Sequence, residues 1–484
     1  MPFQVGSACF LLTKSVAHAL SYDARLVPSP ALGAVAEPVC DRMGQVVQDM
    51  VLGRRVDTDA IAQMRLASAF GGMGLRREAL GSMADAAFWA AWASMQARIP
   101  VLASGLGVRV NGCAGAQEAG EAKSRLEAEG VVVDLQGGVR FTSDAASAYA
   151  SSPWSQDAPA DALGALKLLP EASAPEVAPG AAPAGLPRRF ASRIFRHLDA
   201  LSAARLWSGL GVARREGLLS AGGAGAGALW IQMPSASADW FPSSFFRTAS
   251  LRRLGALGAP RGATCRIPRR GEDGTEVCGR PLDSTLSHPQ LCKEGPARMR
   301  PHRALAHALA RVLRACRAEV DIERVVPELV RVGDTGAVQE AVMDLVATFP
   351  GSVRPLYIDV TIRCPHAARY VRAATTPGQA AAAAVADKRS RYGTDVLPVV
   401  FETYGRAAPE TVRSLELIAA HAGCCLRDSW AAPRLVPRWR ATLERIVQFA
   451  AADIDLIALG TDPSATEVRV AYGRVQARYK LVLL

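Results

Sequence analysis

Two groups of residues in this chain have the types and spacing to do chemistry. Cys265, Cys278, His288 and Cys292 lie within 28 residues, with gaps of twelve, nine and three residues. Three thiolates and an imidazole suit the tetrahedral preference of zinc. Gly271, Gly274, Gly279 and Pro281 supply the tight turns that a chain wrapping a metal needs. The opening gap of twelve residues is longer than the about two to four usual between paired ligands. The competing reading makes the three cysteines small buried apolar side chains that fell near a histidine by chance.

The second group is Asp344, Asp359 and Lys388. Fourteen residues separate the two carboxylates, so two neighbouring strands would bring them together. A pair of carboxylates holds a hard divalent cation such as magnesium. That cation lowers the pKa of bound water and neutralises charge on a phosphate, and a lysine adds positive charge or positions the water. On spacing alone, an aspartate in a strand is as readily an edge or turn residue, and a lone lysine on a helix is as readily solvated surface.

These residues need elements to position them. Leu356, Ile358, Val360 and Ile362 alternate with Tyr357, Asp359, Thr361 and Arg363, which is the period of a strand and points Asp359 to its polar face. Gln339 to Phe349, with Asp344 in its middle, reads as a second short strand. Thr376 and Pro377 predict the start of a helix through Ala380 to Ala384, and Gly393 predicts its end. Lys388 and Tyr392 are four apart and share a face of it. The apolar run Val396 to Phe401 predicts a strand covered on both sides. With a helix over Arg303 to Arg317, the expected order is helix, strand, strand, helix, strand. His307 sits on that first helix near Leu305, Leu309 and Val312 and reads as structural. Cys316, Cys364, Cys424 and Cys425 read as packed thiols.

Upstream, Ala60 to Ser68, Arg77 to Ala97 and Glu118 to Glu129 carry helical apolar spacing, and Val131 to Val133 reads as a short strand. Residues 151–188 are rich in proline and alanine and read as a linker. Arg189 to Gly211 and Ser243 to Leu254 read as helices, separated by the flexible Gly222 to Gly227.

The 484 residues carry a net charge of +11, which favours polyanionic partners. The basic residues are lopsided: 50 arginines against six lysines, Lys14, Lys123, Lys167, Lys293, Lys388 and Lys480. Arg252-Arg253, Arg269-Arg270 and the stretch from Arg298 to Arg303 are read equally well as phosphate contacts or as a solvated basic face. Nothing reads as a secretory signal or a membrane span. Ten scattered cysteines suit a reduced, intracellular protein, nuclear or cytoplasmic.

In their order along the chain these motifs resemble the carboxyl-terminal part of non-LTR retrotransposon polyproteins with a restriction-like endonuclease. That pattern runs through a Cys-Cys-His-Cys knuckle (Cys265, Cys278, His288, Cys292), an Arg-His motif (Arg300, His302), an acidic pair (Asp344, Asp359), and a lysine with a tyrosine four beyond (Lys388, Tyr392). Tyr357 to Arg363 and Val400 to Arg406 add to the likeness, and Glu323 resembles an acidic position before the first core strand. Gly71 to Arg76 and Ala87 to Ser94 resemble the segment after a polymerase thumb.

The resemblance implies an α+β protein: a mainly helical region over 1–150, the linker over 151–188 and a helical connector over 189–260. A zinc knuckle over 261–298, a restriction-endonuclease-like α/β core with a small mixed sheet over 299–425, and a helical and strand extension over 426–484 follow. It implies a magnesium-dependent endonuclease that nicks target DNA. Asp344, Asp359, Lys388, Glu323 and Tyr392 form its catalytic set, and the zinc knuckle together with Arg300, His302 and Arg303 holds DNA. Zinc and magnesium are its cofactors, and DNA and element RNA its partners. The chain departs from the family at Met343, where a proline is usual, and in its long first knuckle gap. It also lacks an Asp-Asp polymerase pair, which implies a truncated or degenerate copy. The alternative is a catalytically inactive nucleic-acid-binding remnant.

Overall fold

Leu305, Leu309, Val312 and Leu313 recur at helical spacing, and they bury one side of a helix over Met299–Ala315. The computed structural model describes residues 23–75, 81–96, 114–134, 138–155, 190–223, 225–231, 242–269, 276–294, 299–332, 338–426 and 432–461. Most of the expected linker, and the side chains of Cys424 and Cys425, lie outside them. The described part is a mixture of many helices and small sheets.

The amino-terminal region is helical as its periodicity predicts. It comprises α1 (Ser29–Val46), α2 (Thr58–Arg65), α3 (Gly81–Gln96), α4 (Ala114–Ala128) and α5 (Ser143–Ala150). A two-stranded antiparallel ribbon, β1 (Val131–Val133) and β2 (Val139–Phe141), lies between α4 and α5. The run expected as one helix to Gly211 is α6 (Phe190–Gly209), and α7 (Val212–Ala221) follows at once. The short α8 (Ala228–Ile231), α9 (Ser243–Arg253) and α10 (Ser287–Leu291) lead to Met299–Ala315, which is α11.

After α11 comes a four-stranded sheet of β3 (Glu319–Val325), β6 (Val342–Thr348), β7 (Leu356–Arg363) and β8 (Val396–Glu402), in that spatial order. A small ribbon of β4 (Arg331–Val332) and β5 (Val338–Gln339) interrupts it. β3, β6 and β7 pair antiparallel, whereas β7 and β8 pair parallel across the helix α12 (Gln379–Tyr392). A parallel pair needs such a crossover. The order is therefore helix, strand, strand, strand, helix, strand, one strand more than expected. β3 escaped notice because it is an edge strand with mostly exposed, charged side chains.

Two local expectations change. α12 starts after Gly378, whose φ of 73° is left-handed, and not at Thr376 and Pro377. The buried Glu402 at the end of β8 caps it instead, its Oε1 accepting from the Ala381 amide at 3.1 Å. His307 is exposed, because the helical repeat places it with Arg303 and Arg314 on the outward face of α11. Cys316 and Cys364 are buried thiols, as expected.

The last helix of the expected core and the segment expected as an extension both pack centrally. α13 (Pro409–Leu426) packs on the sheet, and α14 (Ala432–Leu459) runs through three cores. Leu443, Ile446 and Val447 join α11 and the sheet. Phe449, Ala452 and Leu456 join α9, with the Phe449 ring stacked on Phe245 at 4.4 Å. Ile454, Ile457 and Ala458 join the cysteine cluster.

Arg252 and Arg253, read above as phosphate contacts or a solvated face, are neither: their side chains are 2% and 1% exposed. Arg252 donates to Thr403 O at 2.6 Å and to Gln448 Oε1 at 3.0 Å, lies 3.7 Å from Asp455, and stacks over Tyr404. Arg253 donates to Gly72 O and Ser68 O and stacks over Trp230. Both bind main-chain carbonyls of distant loops, which is why local sequence does not reveal their burial.

Candidate functional site

The cysteine and histidine cluster forms as the spacing suggests. Cys265 and Cys278 are brought together by a short antiparallel connection. The Cys265 amide donates to Arg280 O, and the Cys278 amide donates to Ile267 O. This loop-to-loop pairing explains the long first gap, because Thr264 bridges Pro281 and Pro268 bridges Val277. His288 lies in α10 and Cys292 caps its end. Asp283 holds the entry to that helix, accepting from the amides of Thr285, Ser287 and His288 and from the Thr285 and Ser287 hydroxyls.

The four ligand atoms lie within 4.8 Å of one another, and His288 Nε2 is 3.4 Å from Cys278 Sγ. Ligand atoms about 2.0 to 2.3 Å from a tetrahedral metal stand only slightly closer than this. Burial pushes the Cys265 thiol up to about 12, and burial likewise raises Cys292. Three clustered thiols can ionise together only against a cation, so the donor set fits a metal ion of the zinc class.

The knuckle is docked on α14. Gln290 donates to Asp455 Oδ1 at 2.6 Å and to Ala451 O at 2.9 Å. The Arg266 amide donates to Ala458 O at 2.9 Å.

The acidic pair also converges. Register sets Leu345 of β6 against Ile358 of β7, and Asp344 and Asp359 follow one step on, on adjacent strands. Asp344 Oδ2 accepts from the Val360 amide at 2.7 Å, next to Asp359 on the adjacent strand. Lys388 Nζ of α12 lies 2.6 Å from Asp359. His302, in the first turn of α11, puts Nε2 3.2 Å from Asp344 Oδ1. Tyr392 is buried next to this cluster, one turn beyond Lys388.

The electrostatics separate the two carboxylates. Burial pushes Asp359 up to about 6, against the pull of Lys388 and with the repulsion of Asp344. Burial raises Asp344 too, but the hydrogen bond and charge of His302, together with the Val360 amide, bring it below the ordinary range. The hydrogen bond to Asp344 in turn raises His302. Asp344 and Asp359 thus form a pair of hard oxygen donors, each already partnered by a basic side chain, His302 and Lys388.

Asp359 is not on a solvated face as the alternation suggests. β7 is covered on both sides, with Ile358 and Val360 against the core and Asp359 under α12. Glu323 is not drawn in. Ile322 pairs with Leu345 and Arg324 with Met343, so a regular strand would set Glu323 across from Asp344. Its φ of 54° breaks the ladder there, and its exposed side chain lies 3.9 Å from Arg303. Arg300 is tied to the buried Asp453 at 3.3 Å. Of the three residues expected on DNA, Arg300 and Arg303 are exposed with an ion pair each, and His302 is turned inward onto Asp344.

A cleft of about 730 Å³ holds Asp344, Asp359, Lys388, His302 and Tyr392. Its wall includes residues that motif reading passed over. Arg369 and Arg391 come from the sheet side, and Leu291 and Lys293 flank the expected ligand Cys292 on the knuckle side. The scarcity of lysine was the one sequence signal for Lys293. Two of the six lysines in the chain line this cleft.

Among the described residues no helix is long and apolar enough to cross a membrane. No protein-family model matches the chain, and no curated protein matches it.

Proposed function

We propose that this protein carries a metal-dependent endonuclease of the restriction-like type, cutting phosphodiester bonds of DNA in the cleft between the sheet and the knuckle. The observation that carries this reading is the meeting of Asp344, Asp359 and Lys388 from β6, β7 and α12, with Lys388 Nζ 2.6 Å from Asp359. The helix-strand-strand-strand-helix-strand order around a mixed sheet supports it.

Asp344 and Asp359 would hold a cation of the magnesium class, which when bound supplies an activated water and charge neutralisation at the phosphate. The Val360 amide and His302 keep Asp344 ionised and oriented. Lys388 sets its ammonium beside the reacting phosphate, where positive charge stabilises the transition state. Tyr392 packs beneath the pair, and Arg363 and Arg391 supply positive charge along the cleft wall. The Cys3His cluster takes zinc and has a structural part, because all four positions are protein ligands.

The test is nicking of supercoiled plasmid by the full chain with magnesium. Nicking by the wild type and its loss in Asp359→Ala is the expected outcome, and equal nicking by Asp359→Ala rejects the assignment. A second reading is a nucleic-acid-binding remnant without catalysis. One observation favours it: Lys388 and His302 already partner both carboxylates, so the cluster is held together without a cation. Salt-sensitive DNA binding with no nicking, indifferent to Asp344→Ala and Asp359→Ala, is its signature.

A further inference from the structure

Lys293 follows the ligand Cys292 directly and lines the same cleft as the carboxylates. Its backbone is held from two directions. Cys292 is buried in the thiol cluster, and Gln290, three residues earlier, is bonded to Asp455 and Ala451 of α14. The side chain, by contrast, is exposed. Among the described residues no carboxylate lies within ion-pair reach of it, and its neighbour Glu294 is engaged by Arg269 at 3.8 Å.

Among the described residues on the knuckle side of the acidic pair, Lys293 is the cation that lines the cleft. Lys388 is committed to Asp359 and His302 to Asp344. Arg369 pairs with Asp387. A phosphodiester entering the cleft meets the negative charge of two carboxylates, with Arg363 and Arg391 on the sheet side and Lys293 on the knuckle side. An additional cation on a rigid mount lowers that repulsion. An ammonium suits this place as a compact point charge with three donors.

On the nuclease reading above, we propose that Lys293 is a phosphate-binding residue, through which the knuckle grips the nucleic-acid backbone on its side of the cleft. The knuckle is then part of the substrate site, and its docking through Gln290 sets where that grip falls. A phosphate contact of this kind positions the nucleic acid without reading its sequence.

The experiment measures binding of the zinc-loaded full chain to a fluorescent 20-base-pair duplex by anisotropy across a salt series, without added magnesium. Each phosphate contact on duplex DNA contributes about 0.9 to the slope of log K against log salt. Lys293→Gln is expected to lose about 0.9 of that slope, with zinc content and melting temperature unchanged, and Lys293→Arg is expected to keep it. Lys123→Gln, on α4 and paired with Glu127, is the control that leaves the slope unchanged. A Lys293→Gln slope equal to that of the wild type overturns the proposal alone. A wild type with no salt-dependent duplex binding overturns both the proposal and the nuclease reading.

Discussion

The main-chain amide of Val360 donates to Asp344 Oδ2 at 2.7 Å, so the strand that carries one carboxylate also holds the other. Neither aspartate is placed by its own rotamer alone. β6 supplies Asp344, β7 supplies both Asp359 and the amide that fixes Asp344, and α12 reaches over with Lys388. Carboxylates built on paired strands are held in a fixed geometry, which the proposed nuclease chemistry would require.

This rigidity gives the first prediction. Asp344→Asn and Lys388→Met each reduce magnesium-dependent nicking on the order of 100-fold or more, as for removal of a group that meets charge developing in the transition state. Plasmid-nicking rates check this, with melting curves run alongside to separate loss of chemistry from loss of fold.

Removing the knuckle metal is expected to weaken more than the knuckle. Cys265, Cys278 and Cys292 share a core with Ile454, Ile457 and Ala458 of α14, and α14 also reaches α9 and the sheet. Cys278→Ser should lose one zinc per chain by elemental analysis and lower the melting temperature by at least about 5 °C, the scale of a loss of a few kcal/mol in a chain of this size.

Acid should act through His197, buried on α6 against Phe141 with Nδ1 bonded to Arg193 O. Burial lowers its folded pKa from 6.5 to about 4. The folded state therefore binds fewer protons than the unfolded state between those values. The stability this group allows is intact above pH 6.5, falls as pH drops toward about 4, and levels off below that. The total is on the order of 3 kcal/mol. His197→Leu should gain on the wild type by that amount over this window and show a flat difference above it. Denaturant unfolding at several pH values measures it, and a constant difference at all pH values would contradict the assignment.

Arg252 separates structure from recognition. It is buried with Asp455 and bonded to Thr403 O and Gln448. Arg252→Ala leaves Asp455 without its charge partner and is expected to cost about 3 to 5 kcal/mol, read by chemical denaturation. The salt slope of DNA binding should stay that of the wild type, because the guanidinium does not reach solvent.

Much of this was legible in the sequence itself. The repeat of Leu305, Leu309 and Val312 specified α11, and the alternation from Leu356 to Arg363 specified β7. The identities and order of Cys265, Cys278, His288 and Cys292 specified a metal-ligand set. Asp344, Asp359 and Lys388 could be picked out by residue type, spacing and order along the chain, although the alternation put Asp359 on a solvated face. Only the tertiary structure decided what covers each face. It buried Arg252 and Arg253 under loops that are distant in sequence and ran α14 through three cores. It turned Glu323 away by a single left-handed residue and swung Lys293 into the cleft of the acidic pair. Periodicity is a property of one segment, whereas burial and charge pairing belong to segments that meet only when the chain has folded.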